Sequence, residues 1–546
     1  MSIPVRTLRR PRPWALATCL TRLCLAFTLA AAARSVAAQG LAAPIRTSSG
    51  AIEGVPATKR GIRAYLGIPF AAPPVGALRW REPPTASSWT GVRKATTFGP
   101  RCTQAPVFSD MIFRDSMSED CLYLNVWTPA RTAANKLPVM VWIYGGGFQG
   151  GSASEPRQDG THLAEHGLVV VSMNYRLGVF GFLAHPELTA ESGERASGNY
   201  GLQDQLSALR WVRDNIAAFG GDTSNVTIFG ESAGSFAVSA LLASPLSKGL
   251  VHKAIGESGA FFGATLGAAQ RSAAEAQGVS FASDAGASTI ADLRALSADS
   301  VLTLSRKNPT RRFSAILDGL VLPRNVSDLY AEGAQRHVPL LAGWNAAEVR
   351  SSVTLSTTPT TAAFFSASMR TRFGANADEV LRVYPATSDS TAIESAASFN
   401  SDQFIAFGTW QWLEAHRETS GSAVYRYLFA RQIPIASNTV VNGHTATARD
   451  IGARHAGEIE YVFGALPSVP NVMFTLDDSR LSEQMMRYWS NFAKTGNPNG
   501  KGLPVWPVFD AAKGNQVMTL DVTSKAAPER NRARYEMLEN AARQHP

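Results

Sequence analysis

Val226-Thr227-Ile228-Phe229-Gly230-Glu231-Ser232-Ala233-Gly234 is the stretch from which the rest of the chain is read. Its first four residues, rich in β-branched side chains, read as a buried strand and run straight into G-x-S-x-G. Ser235 to Leu242 (SFAVSALL) then reads as a helix. Strand, sharp turn and helix is the setting of a nucleophile elbow, where a tight turn holds a serine hydroxyl clear of the sheet. A side chain at 230 or 234 would collide with neighbouring backbone, which accounts for glycine at both positions. The helix N-terminus behind Ser232 favours negative charge developing there. The plainer reading is a Gly/Ser-rich loop, and the flanking strand and helix weigh against it. A near copy, Gly256-Glu257-Ser258-Gly259-Ala260, lacks the second glycine at the required spacing. Ser258 therefore reads as a structural serine behind the next strand.

Outward from the elbow, Leu122 to Thr128 (LYLNVWT) reads as a strand. Pro138 to Tyr144 (PVMVWIY) is a second, apolar on both faces as the centre of a sheet requires, and it runs into Gly145-Gly146-Gly147-Phe148. Leu168 to Asn174 (LVVVSMN) is another buried strand. Leu202 to Phe219 carries apolar residues at 206, 209, 212 and 216, the spacing of an amphipathic helix. Lys253 to Glu257 and Pro339 to Gly343 (PLLAG) add shorter strands. Strands alternating with helices predict an α/β fold, a mostly parallel central sheet with helices on both faces. Ala268 to about Lys307 and Ala362 to Arg431 read as largely helical insertions, and the tail from Leu481 adds a helix. Residues 44–100, dense in Gly, Pro and β-branched residues, read as short strands and turns at an N-terminal edge. There is no internal repeat and no linker long enough to split the chain, so residues 39–546 are expected to form a single domain.

Of the 546 residues, 45% are hydrophobic and 17% charged, an ordinary globular balance. The formal net charge of +9 is concentrated at one end. Residues 1–38 hold six arginines (Arg6, Arg9, Arg10, Arg12, Arg22 and Arg34) and no acid, so without them the chain carries only +3. That gives little support to nucleic-acid binding. A basic run from Arg6 to Arg12, an apolar stretch from Ala15 to Ala33 and small residues before Ala37 and Ala38 read as a secretory signal over 1–38. The expected location is secreted or periplasmic. Arg22 inside the apolar stretch argues against a retained membrane anchor, and no later stretch is apolar for long enough to span a bilayer. Cys19 and Cys24 would leave with the signal. Cys102 and Cys121 then remain as one possible pair, in keeping with an oxidising compartment.

A serine hydroxyl needs a base, and the base needs a group to hold its tautomer. Six histidines follow Ser232 (252, 337, 416, 444, 455 and 545), and residue chemistry alone does not choose among them. A family resemblance does. The chain resembles a type-B carboxylesterase, the cholinesterase-like branch of the α/β hydrolases, and its para-nitrobenzyl-esterase-like members in particular. The resemblance rests on GIPFAAPPVGALRW (67–80), SEDCLYLNVWTP (118–129), GGGF (145–148), NYGLQDQ (199–205), FGGD (219–222), GESAG (230–234), the stretch around His455 and YWSNFAKTGNPN (488–499). It implies an α/β-hydrolase fold, a Ser-His-Glu triad and no cofactor or metal.

Within it, Ala453-Arg454-His455-Ala456-Gly457-Glu458-Ile459 is similar to the loop of the catalytic histidine, which implies His455 as general base. Leu340-Leu341-Ala342-Gly343-Trp344-Asn345-Ala346-Ala347-Glu348 implies Glu348 as the acid, although Val349 stands where many relatives have glycine. Asp318 is the rival acid. Gly146 and Gly147, without a Cβ to block approach, are the expected oxyanion donors, with the N–H of Ala233 as the third. Glu231 resembles the family's buried glutamate, an orienting group more than a base, and the family's first disulfide implies Cys102–Cys121.

His162-Leu163-Ala164-Glu165-His166 fits the zinc pattern H-x-x-E-H, but the helix there is short and no third ligand is marked. Cholinesterases bind choline with a tryptophan ten residues before the second cysteine of this loop, where this chain has Met111, which argues against choline esters as the dedicated substrate. Phe148, Phe261, Phe262 and Trp344 are candidates to line an apolar acyl or aryl pocket, or equally to be core. The expected function is a secreted serine carboxylesterase acting on a small-molecule ester through an acyl-enzyme. The competing readings are a non-catalytic cholinesterase-like binding protein and a lipase or amidase using the same mechanism.

Overall fold

A computed structural model of the chain describes residues 44–108, 111–263, 265–470 and 472–544, together with Met1, Ser2 and Leu41. Apart from Met1 and Ser2, the signal expected over 1–38 lies outside the described residues, as does His545.

Ten strands make the main sheet, in chain order Arg63–Pro69 (β1), Tyr123–Thr128 (β2), Leu137–Ile143 (β3), Val169–Met173 (β4), Gly221–Glu231 (β5), Lys253–Glu257 (β6), Leu340–Asn345 (β7), Val424–Phe429 (β8), Gln516–Leu520 (β9) and Lys525–Pro528 (β10). Across the sheet they run β1-β2-β4-β3-β5-β6-β7-β8-β9-β10. From β4 to β9 every pairing is parallel. The antiparallel pairings lie at the two edges. This is the α/β-hydrolase arrangement, a mostly parallel sheet with helices on both faces.

The centre of the sheet is where the sequence is most apolar. Val139 to Ile143 and Val169 to Val171 are fully buried on both faces. Each such side chain contributes about 1.5–3 kcal/mol by leaving water. Around the sheet stand Tyr200–Asn215 (α1), Ala233–Ala243 (α2), Asp389–Ser401 (α3), Phe407–Ser420 (α4), Leu476–Thr495 (α5) and Arg532–Gln544 (α6). A π-helical turn, Asp402–Ala406, joins α3 to α4. In α5, Leu481, Met485, Trp489 and Phe492 form one buried stripe at helical spacing.

Three expectations are corrected. The stretch 362–431 is not helical to its end: α4 stops at Gly421, which has a left-handed φ of +66°, and Val424–Phe429 enters the sheet as β8. Helix α5 starts at Leu476, not Leu481, because the Thr475 and Asp478 side chains cap its N-terminus in a reciprocal box. Two strands, β9 and β10, follow where none was expected. The chain order puts the C-terminal ends of β3, β5, β6 and β7 side by side, and the site is built there.

Candidate active site

Ser232 follows β5 with φ +51° and ψ −124°, a strained conformation for a non-glycine residue, and α2 begins at the next position. The tightness is visible at both glycines. A Cβ on Gly234 would stand 1.9 Å from the carbonyl oxygen of Ile143, and one on Gly230 would meet that oxygen and the Gly234 carbonyl carbon at 2.6 Å. The Ser232 N–H donates to the Glu257 carbonyl at 2.8 Å, tying the turn to β6.

The structure brings Ser232, His455 and Glu348 together. His455 Nε2 lies 3.0 Å from Ser232 Oγ, and His455 Nδ1 lies 2.6 Å from Glu348 Oε2. The second Glu348 oxygen, Oε1, accepts from the Asn345 N–H at 2.7 Å and from Ser258 Oγ at 2.8 Å. Glu348 is therefore held on both oxygens. Asp318, the rival acid, is elsewhere: its Oδ1 accepts from the N–H groups of Leu320 and Leu322 and closes a local turn.

Ser258 and Glu458 belong to this network, although the sequence alone assigns neither a part in the chemistry. Ser258 Oγ lies 3.4 Å from Glu458 Oε1, and Asn345 Nδ2 donates to Glu458 Oε2. The repeated Gly-Glu-Ser was the available signal for Ser258, and the buried position of Glu458 three residues after His455 had none. With Glu231 and Glu257, four carboxyls are buried in one cluster, three of them acting on the imidazole, and they cannot all be charged. Burial pushes Glu231 up to about 8, against the pull of His455. Burial, reinforced by the Glu348 charge, pushes Glu458 up to about 7. Burial raises Glu257 well above the usual carboxylate range, and its Oε1 accepts from the indole of Trp489 at 2.8 Å.

Burial opposes charge on His455, but the carboxylates of Glu231 and Glu348 outweigh it and carry the imidazole up to about 9. Glu231 Oε1 lies 3.2 Å from Nε2, on the serine side of the ring. The two groups are linked, so a protonated Glu231 withdraws part of the support for the imidazolium.

The glycine run follows β3 directly. Gly146 and Gly147 have φ of +102° and +63°. Among the described residues the N–H groups of Gly146, Gly147 and Ala233 make no hydrogen bond. A Cβ on Gly146 would stand 2.1 Å from the Gly150 carbonyl oxygen, so this turn also requires glycine. Cys102 and Cys121 form a disulfide, with Cα atoms 4.9 Å apart, that closes the loop carrying Met111.

Ser232 and His455 open into a cavity of about 440 Å³. Its apolar wall is Phe108, Met111, Phe236, Leu266, Phe404 and Ile405. Of the two readings open for Phe148, Phe261, Phe262 and Trp344, pocket or core, the structure gives core, and none of them is among the lining residues. Phe148 is fully buried against Phe182 and Phe261, Phe262 packs edge-on against Tyr330, and Trp344 lies under the Arg426 guanidinium. Trp344 of β7 packs against Tyr535 of α6 as well. The histidines of the H-x-x-E-H pattern diverge, His162 facing Glu165 at 3.6 Å and His166 facing Glu483 of α5 at 3.7 Å. Among the described residues no cluster of His, Cys, Asp or Glu is arranged to hold a metal ion.

The Carboxylesterase family model matches residues 42–538. Fumonisin B1 esterase of Sphingopyxis macrogoltabida is 38% identical over 93% of this chain and 94% of its own. The medium-chain fatty acyl-CoA hydrolase precursor of Anas platyrhynchos is 36% identical over 88% and 89% of the two chains. Cocaine esterase of Homo sapiens is 36% identical over 86% and 87%. Among solved structures, PNB esterase superposes with a TM-score of 0.74 at 33% identity, covering 91% of this chain and 99% of that one.

Proposed function

The chain belongs to the carboxylesterase family and is a carboxylic ester hydrolase, and from that premise we propose that it works through Ser232, His455 and Glu348 by way of an acyl-enzyme. The observation that carries this reading is the unbroken line from Glu348 Oε2 through the His455 ring to Ser232 Oγ, with contacts of 2.6 and 3.0 Å. His455 takes the hydroxyl proton as Ser232 Oγ attacks the ester carbonyl. Glu348 holds Nδ1 protonated, so Nε2 keeps its lone pair toward the serine and the imidazolium that forms is stabilised. The N–H groups of Gly146, Gly147 and Ala233 receive the oxyanion. The proton on Nε2 then passes to the leaving alkoxide, which departs as the alcohol. Water, activated by the same histidine, attacks the Ser232 ester, and the carboxylic acid leaves.

Glu231 is the group that sets the charge balance of the ring on the serine side. Small-molecule esters are the substrates, in keeping with relatives named as esterases for fumonisin B1 and for cocaine. The non-catalytic binding reading falls with the enzyme class. Export is part of the same proposal: a signal over 1–38, a single domain over 39–546 and a disulfide that suits an oxidising compartment. No described helix is long and apolar enough to cross a membrane.

The test is rapid-quench hydrolysis of para-nitrophenyl acetate by the parent chain, Ser232→Ala and His455→Ala. The parent should show a burst of nitrophenol followed by steady turnover. Both variants should lose the burst, with kcat down by about 10⁴-fold or more. Turnover near the parent rate in folded Ser232→Ala would reject the mechanism.

A further inference from the structure

The wall of the cavity nearest the imidazole is a π-helical turn, an element uncommon in proteins and frequent beside functional sites. In Asp402–Ala406 the N–H of Phe407 reaches back five residues to the Asp402 carbonyl instead of four. One extra residue in the turn rotates the residues after it by about 100° relative to a regular helix. Thr265 Oγ1 donates to the carbonyls of Gln403 and Phe404, at 3.2 and 2.5 Å, which holds the wide turn from the cavity side.

Three neighbours of the site meet this corner. The Phe404 ring stands edge-on to the His455 imidazole, with centroids 5.0 Å apart and planes at 67°. Ser401 Oγ, at the end of α3, accepts from the N–H of Val349, the residue after Glu348, at 3.3 Å. Ile405 lines the cavity beside Phe404. Behind them the turn is anchored deep in the protein. Asp402 is buried, accepts from Tyr384 Oη at 2.7 Å and faces Arg534 Nη1 of the C-terminal helix α6 at 3.8 Å.

We infer that the π turn is a positioning device for the general base, in which Phe404 keeps the His455 ring on the line between Glu348 and Ser232, and that α6 sets the turn through Arg534 and Asp402. The arrangement explains why an extra residue is accommodated here. Without the extra residue, α4 would be rotated by about 100° about its axis relative to the turn that carries Phe404 and Ile405. Phe404 acts on His455 from the cavity wall, and Arg534 acts at a distance, through Asp402 and the turn.

The inference rests on His455 being the general base, so its test carries His455→Ala as a control. Full-length Phe404→Leu, Phe404→Tyr, Asp402→Asn and Arg534→Gln are compared with the parent on para-nitrophenyl acetate. The far-downfield proton resonance of the His455–Glu348 hydrogen bond is recorded for each. In Phe404→Leu, kcat should fall by about tenfold, the cost to the chemical step of a base held off line, while the leucine keeps the cavity wall apolar and KM within about twofold. The downfield resonance should broaden, and Phe404→Tyr should restore both readouts. Asp402→Asn and Arg534→Gln should move kcat and the resonance the same way by about two- to threefold, at a distance from the substrate. If Phe404→Leu folds poorly, the two remote variants carry the test. A parental kcat with an unbroadened resonance in folded variants overturns the inference, and inactive His455→Ala then leaves the triad reading standing. Active His455→Ala overturns the triad reading itself.

Discussion

Gly230-Glu231-Ser232 and Gly256-Glu257-Ser258 end two adjacent parallel strands, paired Gly230 to Gly256 and Glu231 to Glu257. Both serines have positive φ, +51° and +57°. The chains then diverge. After Ser232 comes a helix of eleven residues, admitted by Gly234 against the Ile143 carbonyl. After Ser258 comes Gly259, with φ +155° and no room for a Cβ beside the Phe236 ring, and no helix. Ser232 Oγ faces a histidine and a cavity, whereas Ser258 Oγ is fully buried and faces the carboxyls of Glu348 and Glu458. A strained serine turn therefore does not make a nucleophile. Its neighbours do: a base with a free lone pair, N–H donors at a helix start, and room for an acyl group. In the proposed mechanism the second turn supports the first, since Ser258 Oγ donates to Glu348, the proposed acid.

Three substitutions sharpen that contrast. The largest effect belongs to Glu348→Gln, which leaves the shape and removes the charge that fixes the His455 tautomer. Steady-state kinetics should show kcat lower by about 10³–10⁴-fold. A loss under tenfold would mean that another carboxyl, Glu231 or Glu458, orients the ring. Next comes Ser258→Ala, which removes one donor to the Glu348 carboxylate. A hydrogen bond to a charged group is worth about 1.5–3 kcal/mol, so a fall of about tenfold in kcat is expected, with Ser232 still acylated. If Ser258→Ala were as inactive as Ser232→Ala, the two turns would share the chemistry and the contrast would fail.

The smallest effect is on pH dependence. His455 must be neutral to accept a proton, so the rate rises as pH climbs through its pKa. Glu231 stabilises the imidazolium and lifts that pKa toward about 9. Glu231→Gln should therefore move the acidic limb of kcat/KM to lower pH by about one pH unit. A limb that stays put or moves upward would show that Glu231 does not act on the ring as a charge.

Much of this was legible because burial leaves marks on local sequence. The strands at 137–143, 169–173 and 340–345 are apolar on both faces, and G-x-S-x-G lies between a strand and a helix. Strand β8 was hidden for a physical reason. Its centre is Arg426, a poor core residue by itself, made tolerable by Glu529 and by the Trp344 ring 4.2 Å away. The two partners lie about a hundred and about eighty residues away in the chain, where no local pattern can announce them. For Trp344 and Phe148 the sequence leaves pocket and core equally open, and the packing of Trp344 against Arg426 and Tyr535 and of Phe148 against Phe182 and Phe261 decides for core. The π turn has no sequence mark at all, since its extra residue is defined by which carbonyl the Phe407 N–H reaches.

Of the two serines, only Ser232 is proposed to be activated. Intact-mass labelling with a fluorophosphonate, followed by peptide mapping, separates them directly. A single adduct is expected, on the peptide carrying Ser232, and none on the peptide carrying Ser258. An adduct on Ser258, or no adduct on folded and ester-hydrolysing protein, would contradict it.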